Sequence, residues 1–185
     1  NELRERLTDN GSNRPVVVLG SPGSGKSALL ARLVGELQRN GVHVLGLKAD
    51  SLPNYVETRE QLRQALDLPD DPMEMLRSLA RRGRTVFVID QLDALSDLMD
   101  VHTRRLDVLL RLVSDVTSIP RVLVVLSARA VDYRHDVRFR AFNAEEVVLE
   151  PLAREDVEAV LRQRGIEPDG LSESALEMLR VPNWL

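Results

Sequence analysis

The sequence predicts an α/β fold built on a parallel sheet. Three features carry that expectation: five short runs rich in valine, isoleucine and leucine, amphipathic helical stretches between them, and a glycine-rich turn joining the first run to the first helix. Alternation of this kind implies right-handed crossovers, with helices on both faces of the sheet.

Taken in order, Glu2 to Thr8 reads as a short helix and Pro15 to Leu19 as the first strand. Lys26 to Arg39 places Leu29, Leu30, Leu33, Val34 and Leu37 on one side of a helix, which Asn40-Gly41 closes. Val42 to Leu47 is the second strand. Thr58 to Leu66 and Asp71 to Arg82 are helices, the latter with Pro72 just inside its start, where a missing N–H does no harm. Thr85-Val86-Phe87-Val88-Ile89 is the continuous β-branched and aromatic run of a buried strand, and it ends in Asp90. A helix from about Val101 to Val116, with Leu106, Leu109, Leu110 and Val113 for the core, precedes the strand Arg121 to Leu126. Glu146 to Leu149 is the fifth strand. After Pro151 only helices are predicted, Arg154 to Arg164 and Ser172 to Arg180, so residues 1–150 read as the main domain and 151–185 as the beginning of a helical lid.

At 185 residues the chain can bury a full core without disulfide or metal staples. It has no cysteine, which excludes disulfides and cysteine-based zinc sites and suits a reducing cytoplasm. His43, His102 and His135 offer no metal-ligand spacing. Lys and Arg number 25 against 29 Asp and Glu, a net charge of −4, so the surface as a whole is not that of a nucleic-acid binder. No apolar stretch approaches the length of a membrane helix and the amino terminus lacks the apolar centre of a secretory signal. The lack of an initial methionine and the apolar finish Arg180-Val181-Pro182-Asn183-Trp184-Leu185 read as those of a piece cut from a longer protein.

The glycine-rich turn is Gly20-Ser21-Pro22-Gly23-Ser24-Gly25-Lys26-Ser27, which fits G-x-x-x-x-G-K-[ST] between a strand and a helix that begins Lys26-Ser27-Ala28. Glycine there lets successive N–H groups turn inward around phosphate oxygens, and the helix start adds its positive dipole end. Lys26 supplies a charge for the β and γ phosphates. The Ser27 hydroxyl suits Mg²⁺, with Asp90 as the metal-side carboxylate acting through water. Asp93, three residues on, either orients or deprotonates an attacking water or caps the next helix. Gln91 stands where many hydrolysing relatives of this arrangement carry glutamate. Arg129, in Ser127-Ala128-Arg129 beyond the strand ending at Leu126, is a candidate γ-phosphate sensor at the carboxyl edge of the sheet, or else a solvated loop arginine. Between Tyr133 and Phe142 basic and aromatic residues interleave, as on a nucleic-acid surface; the bland reading is a loop and short helix whose aromatics pack on the sheet while its arginines face water or pair with Glu145 and Glu146.

Together these residues resemble the STAND class of signalling ATPases, which includes the NACHT and AP-ATPase groups and is related to AAA+ proteins. Gly20 to Ser27, Asp90-Gln91-Leu92-Asp93, Leu126-Ser127-Ala128-Arg129 and the passage Leu149 to Asp156 carry the likeness. It implies a P-loop NTPase three-layer sandwich with sheet order 5-1-4-3-2, a helical domain closing over ATP or ADP, contact of Pro182 with adenine and ribose, and self-association of the full-length protein alongside effector and sensor domains. Ala94 departs from the pattern, since NACHT proteins often carry another acid there. The runner-up is a DNA-associated motor or loader of AAA+ type, which needs a basic groove. A small-molecule phosphotransferase would need an acceptor pocket and an arginine-rich lid.

Overall fold

The structure is a computed structural model that describes residues 14–96, 104–141 and 143–182. The predicted helix Glu2 to Thr8, the start of the predicted helix at Val101, and Phe142 and Trp184 lie outside the described residues. In chain order the elements are β1 (Val16–Gly20), α1 (Lys26–Arg39), β2 (His43–Lys48), α2 (Arg59–Ala65), α3 (Pro72–Arg82), β3 (Thr85–Asp90), α4 (Arg105–Val116), β4 (Val122–Arg129), α5 (Ala130–His135), β5 (Glu145–Val148), α6 (Arg154–Gln163) and α7 (Glu173–Leu179). Short 3₁₀ turns at Ala49–Ser51, Leu92–Leu95, Val137–Ala141 and Pro168–Gly170 join some of them.

Local chemistry sets these bounds. The side chains of Thr58, Asp71 and Ser172 accept hydrogen bonds from first-turn N–H groups of α2, α3 and α7, satisfying donors that a helix start leaves free. Helix α1 stops at Asn40 because Gly41 adopts a left-handed φ of 74°, and Val42 N then donates back to the Leu37 carbonyl.

The five strands are all parallel, in the order β2-β3-β4-β1-β5, the order the resemblance implies. Alternation along each strand divides the core. Val17, Leu19, Phe87, Ile89, Val124 and Leu126 face α2, α3 and α4 on one side, while Val16, Val18, Val86, Val88 and Val125 face Leu30 and Leu33 of α1 on the other. Each such side chain, fully buried, stabilises the fold by roughly 1.5–3 kcal/mol. Val157, Leu161 and Leu176 form a third, separate cluster joining α6 to α7.

Strand β4 is longer than the sequence predicts, running through Ser127 and Ala128 to Arg129. The apolar run ends at Leu126, but the ladder continues until Gly20 pairs with Arg129. Arg129 is therefore the last residue of the strand and not part of a loop beyond it.

Candidate functional site

The carboxyl ends of β1, β3 and β4 converge, because the register sets Gly20 beside Arg129 and Ile89 beside Leu126. From the first of these ends the chain turns through Ser21 to Gly25 into α1. Gly23 and Gly25 have φ of 77° and 87°, a region closed to most residues. Gly20 is needed for a different reason than the sequence suggests. It has an ordinary strand conformation, but a Cβ there would lie 2.5 Å from Ser24 Oγ. Helix α1 has no side-chain cap and no acid in its first turn, so its free N–H groups and dipole face the loop.

Lys26 is only 9% exposed. Its Nζ donates to the carbonyls of Gly20 (3.1 Å) and Ser21 (2.9 Å) and approaches Ser24 Oγ at 3.5 Å. Burial lowers its pKa, against the pull of Asp93 and Asp90. The ammonium thus sits among neutral acceptors, with no ion-pair partner within bonding distance, in a loop whose N–H groups also call for an anion.

Asp90 closes β3. The Ser127 hydroxyl, fully buried on β4, donates to Asp90 Oδ1 and accepts from the Gln91 N–H at 2.8 Å. Gln91 takes a left-handed φ of 58°, and its Nε2 lies 3.5 Å from Ser27 Oγ. Sequence reasoning assigned Ser127 no role. The signal was a lone hydroxyl at the end of an apolar strand, readable only once the register places it next to Asp90. Substituting Ser127→Ala leaves two partly buried polar groups without this partner and is expected to cost about 1 kcal/mol, seen as a lower Tm. Nucleotide affinity is expected to fall more with Mg²⁺ than in chelator, because Asp90 loses its orientation.

Asp93 lies inside the turn Leu92–Leu95, whose capping position is Gln91, so its side chain does not cap a helix. It is 5% exposed. Oδ2 accepts from Arg129 Nε at 3.0 Å, and Oδ1 is buried with no partner. Burial raises the Asp93 pKa, opposed by backbone N–H groups and by Arg129 and Lys26. Arg129 is 42% exposed, so its pairing is open to competition by another anion.

These groups surround a cavity of about 500 Å³, lined by residues 22–28 and by Gln91, Asp93, Ala94, Arg129 and Pro182. Gly20 and Ser21 support it from below by holding Lys26, whereas Asp90 stands behind the lining, joined through Ser127 and Gln91. Pro182 reaches the site from beyond α7, its ring 3.8 Å from where a Cβ on Gly25 would stand. Among the described residues no group of three or more His, Cys, Asp or Glu could hold a metal ion by itself. Ser27 and Asp90 offer two oxygens, a donor set suited to a Mg²⁺ that draws its other ligands from phosphates and water.

The NACHT domain family matches residues 14–168 of the sequence. The chain belongs to the NACHT family. Ala94, where an acid is common, does not remove it from that family. No curated protein matches this NACHT domain in sequence. Among solved structures, AMPPCP-bound DnaA from Aquifex aeolicus is similar at 18% identity and a TM-score of 0.61, over 96% of this chain and 54% of that one. The Aeropyrum pernix ORC2 protein is similar at 16% and 0.54, over 96% and 54%. A chain of the HORMA:CdnC:Trip13 complex of E. coli MS115-1 is similar at 18% and 0.58, over 97% and 64%. The NACHT domain thus spans little more than half the length of these neighbours, and at such identities the likeness is one of fold. Family and fold together make the chain a P-loop nucleotide-binding module.

Among the described residues from Tyr133 onward the aromatic side chains do not form an open surface. Tyr133 and Phe139 are buried and stacked, with ring centres 5.4 Å apart. Arg138 pairs with Asp136 and Asp107. Among the described residues no helix is long and apolar enough to cross a membrane.

Proposed function

We propose that this NACHT domain binds ATP or ADP with Mg²⁺, hydrolyses ATP slowly, and acts as a conformational and oligomerisation switch within a larger cytoplasmic signalling or defence protein. The observation that carries this reading is the state of Asp93, with one carboxylate oxygen held by Arg129 and the other buried without a partner at the wall of the cavity. A γ-phosphate competes with Asp93 for Arg129, and ADP, which lacks that group, does not. The two nucleotides then bind different arrangements of the site with different affinity, the requirement for any such switch. Moving a population almost wholly from one state to the other takes a differential of about 5 kcal/mol.

The chain's own residues divide the work. The N–H groups of the loop and of α1, with Lys26, hold the phosphates. Ser27 and Asp90 would hold Mg²⁺, which when bound neutralises charge on the β and γ phosphates. Asp93 Oδ1 is the acceptor for a proton from the attacking water, its basicity strengthened by burial. Arg129 stabilises charge on the phosphoryl oxygens, and Pro182 closes over the nucleotide from the helical side. Gln91 in place of a glutamate leaves a single candidate base, which favours slow turnover.

The test is to denature the purified full-length protein, identify the released nucleotide by chromatography, and assay turnover on the same sample. Retained ADP with slow turnover is the expected result. An empty site with rapid, DNA-stimulated turnover would favour a motor or loader; proteins of similar fold include a DnaA bound to single-stranded DNA and a Drosophila ORC bound to DNA.

A further inference from the structure

The amino-terminal edge of the sheet, opposite the nucleotide cavity, carries a second concavity of about 410 Å³ between α3 and the loop into β4. Ala80 and Ile119 form its apolar floor, and Arg77, Arg81 and Arg121 rim it. Several arginines elsewhere on the surface are paired within their own helices or turns. Arg32, Arg63, Arg154, Arg162 and Arg180 each pair with a glutamate one turn away. Arg81, Arg82, Arg84 and Arg121 have no acidic partner among the described residues, and only Arg77 is paired, to Glu74. Because Thr85 pairs with Val122 and Thr85 N donates to the Arg121 carbonyl, Arg84 and Arg121 enter neighbouring strands side by side. Arg121 also holds a left-handed φ of 67°, uncommon for a residue other than glycine, asparagine or aspartate. An anion bound at this edge would meet Arg81 and Arg121, whose charges no acid among the described residues balances.

The complementary surface lies on the same chain. After α6 the chain turns at Gly165, with φ of 76°, and projects Ile166, which is 44% exposed. Glu167 and Asp169 follow it, exposed and without ion-pair partners among the described residues, while Pro168 between them is buried and fixes the turn. An exposed apolar side chain followed by two acids matches an apolar floor rimmed by arginines. The two surfaces are kept apart within one molecule. The helical pair reaches the sheet at its carboxyl end, where Pro182 meets Gly25, and the strands separate that end from the arginines by roughly 20 Å at about 3.3 Å per residue.

We propose that the turn Ile166-Glu167-Pro168-Asp169 of one copy docks into the arginine-rimmed cavity of a second, in a head-to-tail contact. The proposal rests on the self-association part of the function above but not on nucleotide binding or hydrolysis. Contacts of this kind are heterologous and generate rings or filaments, so each copy uses both surfaces. Nucleic acid is the less favoured occupant, since no aromatic side chain lines the cavity to stack a base.

The test uses the full chain, with sedimentation velocity over a wide range of concentration at low and high salt. The wild type is expected to associate beyond a dimer and to dissociate as salt screens the contact. Arg81→Glu with Arg121→Glu, and separately Glu167→Arg with Asp169→Arg, are each expected to weaken association by roughly tenfold or more. An equimolar mixture of the two variants pairs intact turn with intact cavity and reversed turn with reversed cavity, and should associate beyond a dimer although neither variant does so alone. Combining all four substitutions in one chain should restore association. Nucleotide affinity, measured on every variant, should match the wild type and shows that the far end of the sheet is intact. A wild type that stays monomeric throughout, variants that associate like the wild type, or a mixture that associates no further than either variant alone would overturn the proposal. So would a single-stranded oligonucleotide whose binding is lost on Arg81→Glu with Arg121→Glu while self-association persists.

Discussion

Lys26→Ala is expected to abolish nucleotide binding and to leave the domain folded. The ammonium is the one positive charge buried in the loop, and its bonds to the Gly20 and Ser21 carbonyls are replaceable by water entering the cavity. Removing it also removes a desolvated charge, so the loss of two hydrogen bonds is offset and the apo Tm shifts little. In the complex the balance is different. Phosphate oxygens would lose a charge-assisted partner in a poorly hydrated site, a penalty of roughly 3–5 kcal/mol or more than about a hundredfold in Kd. Titration calorimetry paired with thermal denaturation in the absence of nucleotide separates the two effects. A variant that binds normally, or one that is unfolded before ligand is added, would contradict the account.

Asp93→Asn is expected to retain nucleotide and to lose turnover, by about 10²–10⁴-fold with Asp93 as the general base. The amide has the same shape and its oxygen can still accept from Arg129, but it cannot take a proton from water. Binding should therefore stay within a few-fold of wild type, and loss of binding equal to that of Lys26→Ala would make Asp93 structural. The same carboxyl sets a pH dependence. Its folded pKa lies above the ordinary value of 3.8, so the folded state holds the proton more tightly than the unfolded chain. The stability that this contributes is fully present below pH 3.8 and is lost as pH rises through the raised folded value. The Tm difference between wild type and Asp93→Asn should accordingly favour the wild type most at acid pH and shrink toward neutrality. Turnover should run the opposite way, rising as Asp93 deprotonates.

How much of this was legible in the sequence depends on how local each signal is. Helix α1 begins and ends where the glycine-rich turn and Asn40-Gly41 say it should, because both boundaries are set by neighbours in the chain. The caps at Asp71 and Ser172 and the proline at position 72 mark α3 and α7 for the same reason. The sheet order followed from family likeness and not from periodicity, which is silent about which strand lies beside which. Register was equally hidden. It is register that sets Ser127 against Asp90, extends β4 to Arg129, brings Arg129 onto Asp93 and lines up Arg84 with Arg121 at the far edge. The texture between Tyr133 and Phe139 left two readings open, and the one with packed aromatics holds: both rings stack inside the core while Asp136 and Asp107 pair with Arg138.

The central claim is that the cavity over Lys26 is a nucleotide site that distinguishes ATP from ADP. Calorimetric titration of the full-length protein, stripped of nucleotide, with Mg²⁺ and each nucleotide in turn tests it most directly. The account predicts one site per chain, unequal affinities for the two nucleotides, and stabilisation of about 2.7 kcal/mol at a hundredfold excess over Kd. A folded protein that shows neither heat nor stabilisation with any nucleotide would contradict it, and equal affinity for ATP and ADP would remove the switch while leaving the site.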